Sequence, residues 1–483
     1  MSLIGFIFVF YLFFLIWVGL KTFKYNQNQE DYFLAGRTLS PWVVAFSERA
    51  SGESAWLLLA LPGAAIAVGL GEFWSVIGII FGIISSWLLV AKKIRQETEK
   101  YNALTIPDYL HKRYADNSNI IRLFSTGIIA FFFLFYVSAQ FHASGKVLNI
   151  LFNVDQVYGI TIGAFVIVIY TLMGGFYAVA WTDFIQGILM ISTLIILPVV
   201  GFIELSNQSI SIPKTLESAN IAFGKNNSSF FMGHHGYLAF FTVISGLSWG
   251  LGYLGQPHLI IRYMAIRNVR DVKMARNIAI AWTIPGVIGA FLIGIVSLAY
   301  FGPDYFLAND PEKSMPLLAK TLLNPIIAGL FISGAVAAMM STADSQLLVS
   351  TSAITEDFFH QYLKVNLSEK GLLRLNRIVI LILGLIAFGI AIYSQMNGKN
   401  IFSVVSYAWS GLGSAFGPAL VLTLWWPETT REGVIAGMII GFLTTIVWSN
   451  IPGLNGIISE RVSSFIFSFF AVYSISRLTK NEC

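Results

Sequence analysis

Residues 47–59 read SERASGESAWLLL, and Glu48, Arg49 and Glu53 there introduce a run that is almost wholly apolar through residue 71. An ionised side chain at bilayer depth costs at least about 2.5 kcal/mol, so such residues mark an ion or substrate pathway. Arg49 and Glu53 stand i, i+4, which makes mutual neutralisation on one helix face the cheapest use of both charges. The competing reading has Arg49 facing a cavity and pairing with the carboxylate of a bound solute. A second polar set lies in another apolar run: Ser341, Thr342, Asp344 and Ser345. Residues 341, 344 and 345 share one helix face by their spacing. Hydroxyls there have a plainer use, bonding back to carbonyls of the preceding turn. The chain carries neither an HExxH pair nor a GxxxxGK[ST] loop, and its one cysteine is Cys483. Thiolate metal clusters and ATP binding of the P-loop kind are therefore excluded.

The elements that hold these residues follow from composition. The chain has 483 residues, 56% apolar and 11% charged, with a mean hydropathy of +0.72. That is the composition of an all-α polytopic membrane protein. Apolar stretches predict about 13 transmembrane helices, near 3–20, 41–68, 73–91, 119–149, 156–176, 181–203, 237–261, 277–301, 324–353, 372–394, 401–425, 433–450 and 460–476. The first lacks a basic leader region and a small-residue cleavage site, so it reads as an uncleaved span. With the N-terminus outside, the predicted inner segments hold 21 lysines and arginines and the outer ones six. Arg262 and Lys24 count among the inner ones. This bias places the C-terminus in the cytoplasm and the chain in the cell (inner) membrane. The net charge of +5 therefore reads as topology, not as affinity for nucleic acid.

Two spans carry helix-weakening residues at mid-membrane. One has Ser51, Gly52 and Ser54 followed by Pro62-Gly63; the other is the glycine-rich SGLSWGLGYLGQP, residues 245–257. Interrupted helices at matching positions of two halves point to the midplane site of a secondary transporter. These are spans two and seven, five apart, which suits a 5+5 inverted-repeat core. The simpler reading is that glycines permit close helix packing. The expected organisation is 1–40, an extra helix and linker; 41–425, the transporter core; and 426–483, two extra helices and a short tail.

Several stretches resemble one family. WLLLALPGA (56–64), NALTIPDYL (102–110), GGFYAVAWTDFIQ (174–186), GYLGQPHLIIRYMA (252–265), MSTADSQLLVSTSAITED (340–357) and AWSGLGSAFGPAL (408–420) are similar to the sodium/solute symporters, and within them to the sodium/proline symporters. The resemblance implies a LeuT-type core, Na+ as coupling ion and a small solute, most simply proline, moved by alternating access. It implies Na+ ligands at the carbonyls of Ala50, Glu53 and Ala338 and the hydroxyls of Ser341 and Thr342. It further implies a second cation position or an ion-release route at Asp183, Asp344 and Ser345. For Asp183 the plainer reading is a helix-start residue after Thr182. Ser54, Trp56, Tyr136, Trp249, Tyr253 and Gln256 are implied to line the substrate cavity. Proline symporters carry an acidic residue at the position of Gly52 and a neutral one at that of Glu53, so this chain has moved the carboxylate by one place.

The expected partners are a small-molecule solute and the lipid bilayer, with no nucleic acid, no ATP and no required oligomer. Another amino acid, a carboxylate or a sugar is the alternative cargo. A membrane-embedded metalloenzyme built on His234-His235 is the remote alternative, disfavoured because adjacent histidines diverge and no third ligand is spaced nearby. No catalytic residue is assigned.

Overall fold

A computed structural model describes residues 3–22, 29–173, 175–455 and 457–480; Lys24 and Cys483 lie outside the described residues. Among these residues the chain makes thirteen long helical passes. They are Leu3–Thr22, 41–68, 73–100, Ile120–Phe152, Gln156–Met173, Phe176–Asn207, 236–264, Val272–Phe301, Pro325–Ser352, Glu369–Met396, Ile401–Trp425, Arg431–Ser449 and Glu460–Thr479, numbered here as spans 1–13. Helix starts follow local chemistry. Ser40, Thr105, Asn324, Asn400 and Thr430 each accept a backbone N–H from the first turn that follows, and Pro41, Pro107 and Pro325 sit where no N–H is missed. Short helices Ile212–Phe223, Pro303–Ala308 and Ser314–Leu322 cap the end of the bundle predicted to lie outside.

The expected spans are matched; spans 3, 6, 7, 8 and 10 run about one turn or more further, as charged residues continue several helices past the apolar run, and span 5 ends three residues earlier. One expectation is overturned. Arg262, counted with an inner loop, lies inside span 7 and is fully buried. Its helix does not stop at the apolar run, since buried oxygens on three other spans receive the guanidinium.

Both predicted interruptions are present. In span 2 the backbone leaves helical geometry at Ser54 (φ 45°, ψ −166°), and a wide turn follows in which Leu61 N–H donates to Trp56 five residues back. In span 7 the break is Gln256 (φ −85°, ψ 109°), immediately before the half-helix Pro257–Met264. The glycines serve close packing as well. A Cβ on Gly82 of span 3 would stand 2.3 Å from the Gly250 Cα of span 7, so those backbones touch.

Candidate ion and substrate site

The span 2 break lies against span 9. Ser341 Oγ donates to the carbonyls of Ala50 (3.0 Å) and Ala338 (3.1 Å), and Thr342 Oγ1 donates to the Ser51 carbonyl (2.8 Å). Ser51 Oγ returns a bond to the Ser341 carbonyl at 2.7 Å. All of these side chains are fully buried. Four of the five expected ligand residues thus meet as neutral oxygens across one helix contact, the donor set a hard monovalent cation suits. The fifth, the Glu53 carbonyl, accepts Trp56 N–H across the break and retains a second lone pair.

The three charges of the opening stretch form a buried triad. Arg49 Nη1 donates to Glu53 Oε1 at 2.6 Å, its Nε donates to Glu48 Oε2 at 2.6 Å, and its Nη2 donates to Glu48 Oε1. All three are fully buried. Glu48 also accepts from Trp87 Nε1 (3.1 Å, span 3) and the Tyr263 hydroxyl (3.1 Å, span 7), and Glu53 accepts from the Tyr253 hydroxyl at 3.4 Å. The ion-pair reading of Arg49 therefore describes the structure, with Glu48 as its closer partner. Two carboxylates thus share one guanidinium next to the Ala50 carbonyl.

Asp183 lies two turns into span 6 and is fully buried, so it is not a helix-start residue at the lipid surface. Its Oδ2 accepts from Ser47 Oγ (2.7 Å), Ser51 Oγ (3.1 Å) and Arg262 Nη2 (2.7 Å). The same Nη2 donates to Ser345 Oγ at 2.6 Å, and Arg262 Nε donates to Ser47 Oγ at 2.8 Å. Two of the three side chains expected around a second cation, Asp183 and Ser345, thus converge on a guanidinium. Asp344 Oδ1 accepts from Ser345 Oγ at 3.2 Å, while Asp344 Oδ2 and Asp183 Oδ1 have no hydrogen-bond partner.

The expected substrate residues surround both breaks. Trp56 stacks on Trp249 with centroids 5.4 Å apart and 15° between planes, and Tyr253 meets Trp409 edge-on at 4.6 Å. Ser54 Oγ lies 3.5 Å from the Tyr136 hydroxyl, and Gln256 Nε2 donates to the Trp409 carbonyl at 3.1 Å. Each is buried. Sequence reasoning missed Gln140, whose Oε1 accepts Ala55 N–H at 3.0 Å and so satisfies a backbone donor freed by the break. Its position one turn beyond Tyr136 was the available signal.

One end of the bundle is open. A cavity of about 840 Å³ runs from the end bearing Val68–Ser75, His234, Lys399 and Arg461 down to Trp249 and Phe402. His234, the remote metal candidate, lines this cavity with Nδ1 2.9 Å from Thr242 Oγ1; among the described residues no group of three His, Cys, Asp or Glu side chains is placed to hold a metal. Glu72, in the turn between spans 2 and 3, has its carboxyl pushed up to about 7 by burial, against the Ser75 hydroxyl and Arg461 charge that lower it. At the opposite end, basic side chains tie the elements together. Arg37 donates to the carbonyls of Ala103 (2.8 Å) and Met264 (3.3 Å), Arg95 to Ile266 (2.6 Å), and Arg122 bridges Asp108 (2.7 Å) and Asp357 (3.3 Å).

Comparison with known proteins meets this geometry. The sodium:solute symporter family profile matches residues 32–441. The chain belongs to that family. It is 39% identical over 464 residues to the high-affinity proline transporter PutP of Bacillus subtilis, covering 96% of this chain and 95% of that one. It is 38% identical over 480 residues to the sodium/proline symporter of Escherichia coli, covering 97% and 92%. A structure of the substrate-bound outward-open state of a Na+-coupled sialic acid symporter superposes with a TM-score of 0.79 at 18% identity, over 99% of this chain and 98% of that one. The fold is thus that of the LeuT-type transporters, and this symporter family member is a multi-pass membrane protein, not an enzyme.

Proposed function

We propose that this chain imports proline together with Na+ by alternating access, from a conformer whose outer cavity is open and whose cytoplasmic end is closed. The observation that carries the reading is the Ser341 hydroxyl held between the Ala50 and Ala338 carbonyls across the span 2 break, beside an aromatic chamber. Na+ is assigned to those oxygens with the Glu53 carbonyl and Thr342; proline is assigned to Ser54, Trp56, Tyr136, Trp249, Tyr253 and Gln256. The names of the similar proline transporters support that cargo. The aromatic faces suit an apolar ring, while a few polar groups orient a zwitterion. The N-terminus is placed outside and the C-terminus in the cytoplasm, in agreement with the basic residues gathered at the closed end. A second cation at Asp183 and Asp344 requires the Arg262 guanidinium to withdraw, and the unpartnered oxygens of both aspartates are the atoms it would use.

Moving one Na+ inward across roughly 100 mV releases about 2.3 kcal/mol, and a tenfold gradient adds about 1.4 kcal/mol. Together they sustain a solute gradient of roughly 500-fold at one-to-one coupling. The test is labelled proline uptake into proteoliposomes under an imposed inward Na+ gradient, with other amino acids, carboxylates and sugars as competitors. Accumulation displaced by proline alone supports the reading; displacement by a sugar or dicarboxylate, with proline inert, refutes the substrate.

A further inference from the structure

His258 is fully buried near the start of the half-helix Pro257–Met264, and neither of its ring nitrogens has a hydrogen-bond partner. The Ser51 backbone lies close to the ring but outside hydrogen-bonding geometry. An imidazole has one donor and one acceptor to satisfy, and burying both unpaired is costly. The ring stands edge-on to Phe133 (5.3 Å) and to Tyr136 (6.0 Å), the residue whose hydroxyl faces Ser54 at the span 2 break. Two positions earlier, Gln256 donates its amide N–H to Trp409, while its Oε1 is also without a partner. Three unpaired polar atoms are therefore carried within three residues of the span 7 break, on side chains that touch Tyr136 and Trp409.

The local field selects the sign of what they would hold. The amide end of a half-helix favours negative charge, and this end is not already occupied by an acid: the carboxylates of Glu48, Glu53 and Asp183 are taken up by Arg49 and Arg262. We propose that His258 contacts the substrate directly: its ring N–H donates to the carboxylate of a zwitterionic amino acid whose amine donates to Gln256 Oε1. This rests on the amino-acid reading above and adds the residue that recognises the acid end.

The experiment compares proline with prolinamide, which keeps the ring and amine but lacks the carboxylate, in Na+-dependent binding to reconstituted protein. In His258→Ala the affinity for proline should fall by about tenfold or more, the loss of one hydrogen bond to a charged group, while that for prolinamide stays put. His258→Asn, which keeps an N–H, should retain part of the preference for proline. Should the alanine variant not fold, His258→Gln serves in its place with an intermediate preference expected. Equal losses for both ligands, or none for either, overturn the assignment of His258 and leave the symporter reading standing. Wild-type protein that takes up no proline overturns the substrate reading and this inference with it.

Discussion

Arg49→Gln removes the one cation from a triad in which every side chain is fully buried. Two carboxylates are then left facing each other in a low-dielectric interior, and breaking a buried pair this way costs about 3–5 kcal/mol. That is a large part of a typical folding stability of roughly 5–15 kcal/mol. Glu53→Gln is milder, because Glu48 keeps its two-point contact with Arg49 and its bonds from Trp87 and Tyr263. Only one charge-assisted bond is lost, about 1.5–3 kcal/mol. Adding Glu53→Gln to Arg49→Gln should restore part of the stability, since Glu48 stays unpaired. Adding Glu48→Gln as well should restore most of it. Thermal unfolding in detergent, paired with Na+-driven uptake, reads the series. An Arg49→Gln protein as stable as wild type, or a triple variant no better than the single one, refutes the triad argument.

Thr342→Ala should raise the Na+ concentration for half-maximal uptake by about tenfold, with little change in maximal rate, as measured over a Na+ titration at saturating proline. Arg262→Gln should destabilise the protein by about 3–5 kcal/mol, because Asp183 loses its cation; Asp183→Asn should recover much of this in the same melting assay. Glu72 holds its proton to about pH 7 in the fold against 4.5 in the open chain, so the folded state binds more protons between those values and stability falls as pH rises through that window. The melting temperature should therefore drop between about pH 5 and about pH 8, and Glu72→Gln should flatten that component.

Much of the architecture was legible because the bilayer imposes simple constraints. Length and polarity delimit spans, and charge bias separates the two ends. The pairing of Arg49 with Glu53 was legible for the same reason that any i, i+4 pair is: one helix determines it. Contacts between spans were not. Nothing in the chain announces that Glu48 receives Trp87 and Tyr263 from spans 3 and 7, since those residues are 39 and 215 positions away. Arg262 was misplaced because it follows an apolar run, where a basic residue normally marks the membrane edge. Its buried destination depends on Ser47, Asp183 and Ser345, three residues on separate spans. The glycines of span 7 were read as breakers, yet they also serve packing, and the break falls at Gln256. His258 was passed over because a lone histidine in an apolar helix carries no pattern, and only the tally of unpaired atoms exposes it.

In the proposed mechanism a cation seated between spans 2 and 9 strengthens solute binding, a coupling that must be reciprocal. Equilibrium binding of labelled proline to purified protein, with and without Na+, tests this most directly when repeated on Ser341→Ala. Tight proline binding that requires Na+, and that needs far more Na+ in the variant, is the predicted result. Proline bound equally well in Na+-free buffer, or a variant with unaltered Na+ demand, would contradict it.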